Sequence, residues 1–494
     1  MHTKTFRSAV AGLLLMILGC DPAVEPAAPP APRVVEAPDS RVVVHLFEWR
    51  WDDVAEECET FLGPMGYRAV QVSPVTENAV VEGRPWYERY QPASYRVGNR
   101  SGNRVVFAGM VSRCRAAGVD IYVDAILNHM TGVYAGVGTS GTTFGEYDYP
   151  GLYSYDDFHH CGLTGEGDEI QDWNDPVQFR LCELVNLADL ATEKENVRDS
   201  LAAYLNDLVG LGVAGFRLDA AKHMAPEDVA AILARVEGAP FIYQEVSDPQ
   251  RWGAEYFPTG QVTEFQYSYV VSDVFLHGGL ARLHGAGSIW ETTPFLPSDS
   301  ALVFIDNHDN QRHDGGVHVV KYKDGPLYDL AVAFMLAYPY GTARVMSSYA
   351  FEAGDQAPPM TEEVVKRVHG PDGLNCGQGE WVCEHRRPTI APMVRFRTVT
   401  VGAPVANWWV GGEDRIAFSR GEKGFFVINR SDAAMTEVLQ TGLAAGTYCN
   451  VLDGGLENGV CTGGVVVVGP DGTAAVTVPP MKALALHIEA KATA

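Results

Sequence analysis

The feature that most constrains the fold is an alternation of strand-like and helix-like segments that begins near residue 42. The strand-like segments are 42–49, 67–74, 121–129, 212–220, 241–246, 262–268, 302–309 and 342–349. Helical stretches lie between several of them. Eight strands with intervening helices predict an α/β fold, a (β/α)8 TIM barrel. A doubly wound open sheet is the alternative, disfavoured because no glycine-rich dinucleotide-binding loop follows the first strand.

Two segments depart from this alternation. Residues 130–190 are rich in Gly, Tyr, Asp and His and are too long for one βα loop, so they predict an inserted domain B. The barrel would then comprise residues 41–129 and 191–402. Residues 403–494 contain short strands between glycine turns, which predict a C-terminal β-sandwich domain.

The N-terminus resembles a targeting segment. A basic stretch and a short apolar run precede Cys20, so residues 1–20 predict a lipoprotein signal peptide with Cys20 as the lipidated residue. A plain secretory signal is the alternative. Residues 21–40 are rich in Pro and Ala and predict an extended linker. The protein is therefore expected to be exported, either anchored as a lipoprotein at the bacterial cell envelope or surface, or secreted.

The net charge and the cysteine content exclude several kinds of partner and bound metal. The formal net charge is −25, which argues against nucleic acid or an anionic membrane surface as the partner. Without Cys20, eight of the nine cysteines remain. An even number in an exported chain predicts disulfides, and no Cys/His cluster indicates zinc.

Carboxylates stand at the ends of several predicted strands. They are Asp124, Asp219, Glu245 and Asp309, and Arg217 shares one strand face with Asp219. In a (β/α)8 barrel these ends meet at one mouth, where mutual repulsion must keep at least one carboxyl protonated. An ionised nucleophile beside a protonated acid is what glycoside hydrolysis requires. We expect Asp219 to stay ionised and Glu245 to donate the proton. Structural ion pairs are the alternative for each residue.

Four ordered motifs carry a family resemblance: DAILNH (124–129), GFRLDAAKH (215–223), YQEV (243–246) and FIDNHD (304–309). With them, residues 42–490 resemble the α-amylases of glycoside hydrolase family 13. Segments 84–97 and 343–349 are similar to the animal-type, chloride-dependent branch. The resemblance implies endohydrolysis of α-1,4-glucosidic bonds in starch, glycogen and maltooligosaccharides by a retaining double displacement. It also implies a monomer.

The resemblance implies a role for each catalytic carboxylate. Asp219 would be the nucleophile, Glu245 the general acid and base, and Asp309 would bind sugar hydroxyls and help distort the ring. Tyr87 stands where the animal pattern usually has Trp. The implied substrate-binding residues are Trp86, Tyr87, Tyr90, Gln91, His129, Arg217, Lys222, His223 and His308.

Two ions follow from the same resemblance. A structural Ca²⁺ would take side-chain oxygens from Asn128 and Asp189 and backbone carbonyls from Arg180 and His223. A helix cap is the alternative role for Asp189.

An activating Cl⁻ would lie among Arg217, Asn307 and Arg344 and keep Arg344 from pairing with Glu245. A direct Arg–Glu bridge without chloride is the alternative.

The resemblance further implies four disulfides and one more substrate contact. His313, in a shortened loop, could replace the family's loop histidine. The implied disulfides are Cys58–Cys114, Cys161–Cys182, Cys376–Cys383 and Cys449–Cys461.

Two other functions compete with hydrolysis. A family-13 transglycosylase shares the three carboxylates but excludes water. A catalytically silent surface lipoprotein that captures starch would not need a proton donor.

Overall fold

The structure is a computed structural model that describes residues 42–165, 167–312, 317–371, 373–377 and 379–493. The predicted signal peptide 1–20 with its lipidated Cys20, the linker 21–40 and His313 lie outside the described residues.

Eight parallel strands close into the predicted barrel, in the order β1-β8-β7-β6-β5-β4-β3-β2. Most of their residues are buried, as in strands covered by helices on one face and by the barrel interior on the other. The strands are β1 (Val42–Leu46), β2 (Ala69–Val72), β3 (Asp120–Ile126), β4 (Gly215–Asp219), β5 (Phe241–Gln244), β6 (Gln261–Thr263), β7 (Ala301–Val303) and β8 (Thr342–Ser347).

All eight predicted strands are present, but each ends earlier than the apolar pattern suggested. The predicted segment 302–309 is the largest difference, because β7 ends at Val303 and Asp309 lies in the turn beyond it. At their carboxyl ends the strands diverge into loops that carry the site.

Helices surround the barrel. The longer ones are α1 (Trp51–Glu57, continuing through Cys58–Leu62 and Gly63–Met65), α2 (Arg104–Ala116), α3 (Glu195–Gly210), α4 (Pro226–Leu233), α5 (Phe265–His277), α6 (Pro326–Ala337) and α7 (Ala391–Val399). Sequence reasoning extended a strand over 262–268, where α5 in fact begins. The Glu264 side chain accepts a hydrogen bond from the Gln266 N–H at 3.0 Å. This cap starts a helix whose many aromatic and β-branched residues are typical of a strand.

Between β3 and α3 the chain forms only short elements. They include the paired strands Ala135–Val137 and Thr143–Gly145, the 3-10 turn Tyr155–Asp157 and the helix Pro176–Leu181. A three-stranded sheet of Thr76–Asn78, Pro92–Asn99 and Gly102–Asn103 follows β2. Both groups follow carboxyl ends of barrel strands, so they lie at the mouth where the site is expected.

The C-terminal region is all-β, as predicted. Four strands form one sheet in the order Val405–Val410, Arg415–Arg420, Gly424–Asn429 and Lys482–His487. A separate core of Phe425, Val427, Val476 and Leu486 joins this sheet to the facing strands. Those are the pairs Met435–Gln440 with Thr473–Val478 and Gly446–Cys449 with Val465–Val468. A third short pair, Leu456–Glu457 with Val460–Cys461, packs against the main core of the protein instead.

All four implied disulfides are formed: Cys58–Cys114, Cys161–Cys182, Cys376–Cys383 and Cys449–Cys461. In the part of the chain that the structure describes, no helix combines the length and the hydrophobicity needed to cross a bilayer.

Candidate active site

One buried guanidinium gathers three carboxylates at the mouth of the barrel. Arg217 Nη1 lies 2.6 Å from Asp124 Oδ1 and 2.7 Å from Asp219 Oδ1, and its Nη2 lies 2.9 Å from Glu245 Oε1. These carboxylates belong to β3, to the last residue of β4 and to the residue after β5. The convergence expected from the strand ends therefore exists, with Arg217 at its centre.

Asp309 reaches the same cluster from the turn after β7. Its Oδ2 lies 3.3 Å from Asn307 Nδ2 and 3.4 Å from His308 Nε2. Although 40% of the Asp309 side-chain surface is exposed, desolvation by the surrounding walls and then the charge of Glu245 raise its pKa to about 7. Four carboxyl groups near one guanidinium cannot all be ionised at neutral pH.

Asp219 differs from expectation in its electrostatics. Burial raises the pKa of Asp219 well above its usual range, and the nearby Arg217 only partly opposes this. Sequence reasoning considered the guanidinium but not the desolvation of the Asp219 carboxyl group by burial. The ionised form of Asp219 is therefore stable only if nearby cations and hydrogen-bond donors compensate for the loss of water.

The histidines expected at the sugar are buried and neutral. Burial lowers the pKa of His129 to about 4, and its Nε2 contacts the Tyr90 carbonyl at 3.0 Å. Burial also lowers the pKa of His308 well below its usual value, and its ring stacks on Tyr90 with centroids 5.3 Å apart. His308 Nδ1 is buried and has no hydrogen-bond partner among the described residues.

The expected aromatic wall is formed by the 3-10 turn Trp86–Tyr90. Trp86 Nε1 donates to the Gly354 carbonyl at 2.9 Å, and the Tyr90 hydroxyl donates to Asp124 Oδ2 at 2.9 Å. Gln91 Oε1 accepts from the Gly132 N–H at 3.0 Å. The cleft beside this wall has a volume of about 520 Å³. It is lined by Val81, Tyr87, Tyr90, Gln91, Gly132, Val133, Val185, Asn186 and Leu187.

Lys222 and His223 lie in the turn just after β4. Lys222 Nζ lies 4.8 Å from the centre of the Phe179 ring, and burial lowers the pKa of this ammonium group. His223 Nδ1 contacts the Phe179 carbonyl at 2.8 Å. His223 therefore lies next to the helix that carries Arg180.

Of the four residues expected to bind calcium, two contact each other directly, and a third contacts the chain neighbour of the fourth. Asn128 Nδ2 donates to Asp189 Oδ1 at 3.1 Å, and His223 contacts the residue before Arg180. The Arg180 side chain turns away to Glu255 at 2.6 Å. His159, which sequence reasoning missed, contacts Asp189 Oδ2 through Nδ1 at 2.6 Å.

Asp189 is a buried carboxylate at this candidate calcium site. Burial raises the pKa of Asp189 to about 7, and the His159 contact only partly offsets this. Among the described residues, no three His, Cys, Asp or Glu side chains form a metal-binding cluster. A cation held here would therefore depend on amide and backbone oxygens beside a single carboxylate.

The residues expected around chloride include two buried guanidinium groups. Arg217 Nε is buried without a hydrogen-bond partner among the described residues. Arg344 is 1% exposed, and within the described ranges no carboxylate lies at ion-pair distance from it. Glu245 is paired with Arg217 rather than with Arg344. Asn307 contacts Asp309 and the Asn310 side chain.

Sequence reasoning missed a buried ion network behind the aromatic wall. Arg100 Nε donates to Glu48 Oε2 at 2.9 Å, and its Nη1 donates to Glu88 Oε1 at 3.1 Å. The same guanidinium reaches three successive carbonyls, of residues 84, 85 and 86, at 2.9, 3.4 and 3.4 Å. Arg100 therefore fixes the backbone that leads into Trp86. Neither spacing nor periodicity indicates this role.

Comparison with known proteins decides the family. Residues 59–252 match the catalytic domain of alpha amylase, and residues 408–489 match the alpha amylase C-terminal all-beta domain. The pancreatic alpha-amylase of Sus scrofa is 46% identical over 485 residues, which cover 91% of this chain and 94% of the relative. The chain belongs to the alpha-amylase family. The predicted assignment as an alpha-amylase, a glycoside hydrolase, is thereby confirmed.

Other relatives agree with this family assignment. An alpha-amylase of Thermomonospora curvata is 43% identical over 503 residues, covering 98% of this chain and 80% of the relative. The crystal structure of alpha-amylase I from Eisenia fetida has a TM-score of 0.83 at 40% identity, covering 91% of this chain and 98% of that one. A mutant of the same enzyme, solved in complex with maltohexaose, has a TM-score of 0.84.

Proposed function

We propose that this alpha-amylase cleaves internal α-1,4 bonds of starch, glycogen and maltooligosaccharides with retention of the anomeric configuration. The observation that carries the proposal is the binding of Asp219 and Glu245, from adjacent strands, to the two terminal nitrogens of Arg217. Retaining hydrolysis needs two carboxyl groups on either side of one sugar bond, close enough for a direct displacement. The cleft of about 520 Å³ along Tyr87, Tyr90 and Gln91 would accommodate sugar rings.

In the first step Asp219 attacks the anomeric carbon while Glu245 protonates the departing glycosidic oxygen. The C–O bond of the glucan breaks, and an ester forms between the sugar and Asp219. In the second step Glu245 takes a proton from water, which displaces Asp219. The Ala220 N–H donates to Glu245 Oε2 at 3.0 Å and supports the orientation of Glu245 in both steps.

The other site residues would hold the sugar. Asp309, His129 and His308 would bind the hydroxyl groups of the ring at the point of cleavage, where the neutral imidazoles can donate or accept hydrogen bonds. Trp86, Tyr87, Tyr90 and Gln91 would form the wall on which the glucan stacks. Lys222 and His223 would contact the part of the glucan on the reducing side.

A structural calcium ion fits the pair Asn128 and Asp189. Calcium prefers carboxylate and amide oxygens. Burial raises the pKa of Asp189 to about 7, and a bound cation would favour the ionised form of this carboxyl group. The backbone carbonyls of Arg180 and His223 would complete the set. Such an ion would tie residues near 189 to the barrel and stabilise the shape of the cleft.

A chloride ion fits the charges of the two buried guanidinium groups, Arg217 and Arg344. The unpartnered Arg217 Nε and the buried charge of Arg344 both favour an anion, and Asn307 would contribute its side-chain amide. Chloride would balance Arg344 and so leave Glu245 free of a second guanidinium.

The remaining proposals concern organisation and location. We propose that residues 130–190 form domain B, that residues 41–129 and 191–402 form the barrel, and that residues 403–494 form the C-terminal domain. We also propose export as a lipoprotein anchored through Cys20, and a monomeric state. The four disulfides are consistent with an oxidising compartment.

The decisive experiment is digestion of maltoheptaose followed by proton NMR of the fresh products. We expect α-anomers at first, and new reducing ends in proportion to the bonds cleaved.

Parallel digestions without chloride, and with a calcium chelator, should be slower and should recover when the ion is restored. Initial β-anomers would contradict the retaining mechanism, and longer glucans without new reducing ends would indicate a transglycosylase.

A further inference from the structure

Gln71 lies at the centre of a buried network that the proposed mechanism does not use. It is on β2 and is fully buried. Its Oε1 accepts hydrogen bonds from Arg344 Nη1 at 3.0 Å and from the Tyr243 hydroxyl at 2.7 Å. Its Nε2 donates to Asp124 Oδ2 at 3.1 Å. One amide therefore connects β8, β5 and β3 across the barrel interior.

This amide joins Arg344 to the catalytic carboxylates through a continuous series of contacts. Asp124 binds Gln71 with Oδ2 and Arg217 with Oδ1, and Arg217 binds Asp219 and Glu245. All the bonds lie in a desolvated interior, where hydrogen bonds are strong and displacements are costly.

The neutral side chain of Gln71 suits a partner of Arg344, because the positive charge of Arg344 must remain available to bind an anion. Arg344 lies over the Phe304 ring at 4.8 Å, and no carboxylate of the described residues is at ion-pair distance from it. An amide oxygen orients a guanidinium without neutralising its charge. A carboxylate in the same place would pair with Arg344 directly and compete with an external anion.

We propose that Gln71 is a positioning residue that orients Arg344 for the activating anion and connects the anion site to Asp124. The inference rests on the proposed role of chloride. According to this inference, the affinity for chloride depends on Gln71 in addition to Arg217, Asn307 and Arg344, the three residues that are expected to contact the ion.

The test uses the full-length enzyme and the variants Gln71→Met and Gln71→Glu. The midpoint of thermal unfolding is titrated with chloride at constant ionic strength, with methanesulfonate as the replacing anion. Gln261→Met is the matched control, because Gln261 is a buried barrel glutamine whose Nε2 donates to the Asp299 carbonyl at 3.0 Å. Starch hydrolysis is measured over the same titration.

We expect the chloride concentration for half of the thermal shift to rise roughly tenfold in both Gln71 variants, since a hydrogen bond to a charged group is lost or replaced by an ion pair. The control should titrate as wild type. A purely structural role would lower the unfolding midpoint equally at every chloride concentration. If both variants keep the wild-type half-saturation, the proposal for Gln71 is wrong and the chloride role stands. If wild type itself shows no chloride-specific shift, both are wrong.

Discussion

The Ala220 N–H donates a hydrogen bond to Glu245 Oε2 at 3.0 Å, so the residue that follows Asp219 holds the side chain of Glu245. Ala220 has a φ of 48°, in the left-handed region that a non-glycine residue rarely adopts. Strained backbone of this kind persists where the surrounding structure over-determines it, commonly at active sites. The turn after β4 therefore fixes the spacing between the proposed nucleophile and the proposed acid.

Replacement of Glu245 by Gln tests the proton donor without removing this contact. The amide oxygen of Gln can still accept from Ala220, so the fold should be retained, while proton transfer is lost. We expect kcat on starch to fall about 10³-fold. Release of reducing ends gives the rate, and the thermal unfolding midpoint gives the stability. The exposed Glu227→Gln is the control, and wild-type activity in Glu245→Gln would contradict the assignment.

Removal of Arg100 tests the network behind the aromatic wall. Arg100→Met leaves the buried Glu48 and Glu88 with only Arg89 and Arg84 as cationic partners among the described residues, which should lower the free energy of unfolding by about 3 kcal/mol. Arg104→Met is the matched control. Arg104 pairs with Asp207 on the surface at 2.5 Å, and its loss should cost less than about 1 kcal/mol. Urea titrations measure both, and equal effects would show that Arg100 has no special role.

His487 should make the C-terminal region sensitive to acid. Burial lowers its pKa to about 4, whereas an imidazole in the unfolded chain takes up a proton near pH 6.5. The unfolded state therefore binds more protons between these values, and stability falls as the pH falls from about 6.5 to about 4. The loss attributable to this group is about 3 kcal/mol.

His487→Gln should lose about 3 kcal/mol less than wild type between pH 7 and pH 4, because the variant has no imidazole to protonate. Urea titrations at the two pH values measure this difference. His277→Gln, at a side chain that is 73% exposed, is the control. An unchanged pH slope in His487→Gln would show that this imidazole is not protonated on unfolding.

Removal of calcium should lower the stability of the fold, and this effect should require Asp189. A ligand at 100 times its dissociation constant stabilises the folded state by about 2.7 kcal/mol. A chelator should therefore lower the thermal unfolding midpoint of wild type and have little effect on Asp189→Asn. Asp172→Asn changes an exposed carboxylate outside the proposed site and should respond as wild type does. A chelator effect of equal size in Asp189→Asn would place the ion elsewhere.

Much of the fold could be predicted because its signals are local. The alternation of strands and helices and the carboxylates at strand ends are each visible within short stretches, and the even number of cysteines needs only a count. The same local reasoning failed at 262–268, where residues typical of a strand form the start of α5. It also left out Gln71, whose contact with Arg344 joins residues 273 positions apart.

The sequence by itself determined the eight-stranded barrel, the all-β C-terminal region and the residues that gather at the mouth. Strand periodicity and motif order depend on neighbouring residues, so they can be read along the chain. Only the tertiary structure decided that Arg217 binds three carboxylates, that Gln71 holds Arg344 and that burial raises the pKa of Asp219. Ion-pair partners and desolvation depend on which distant residues exclude water together, and no short stretch of sequence contains that information.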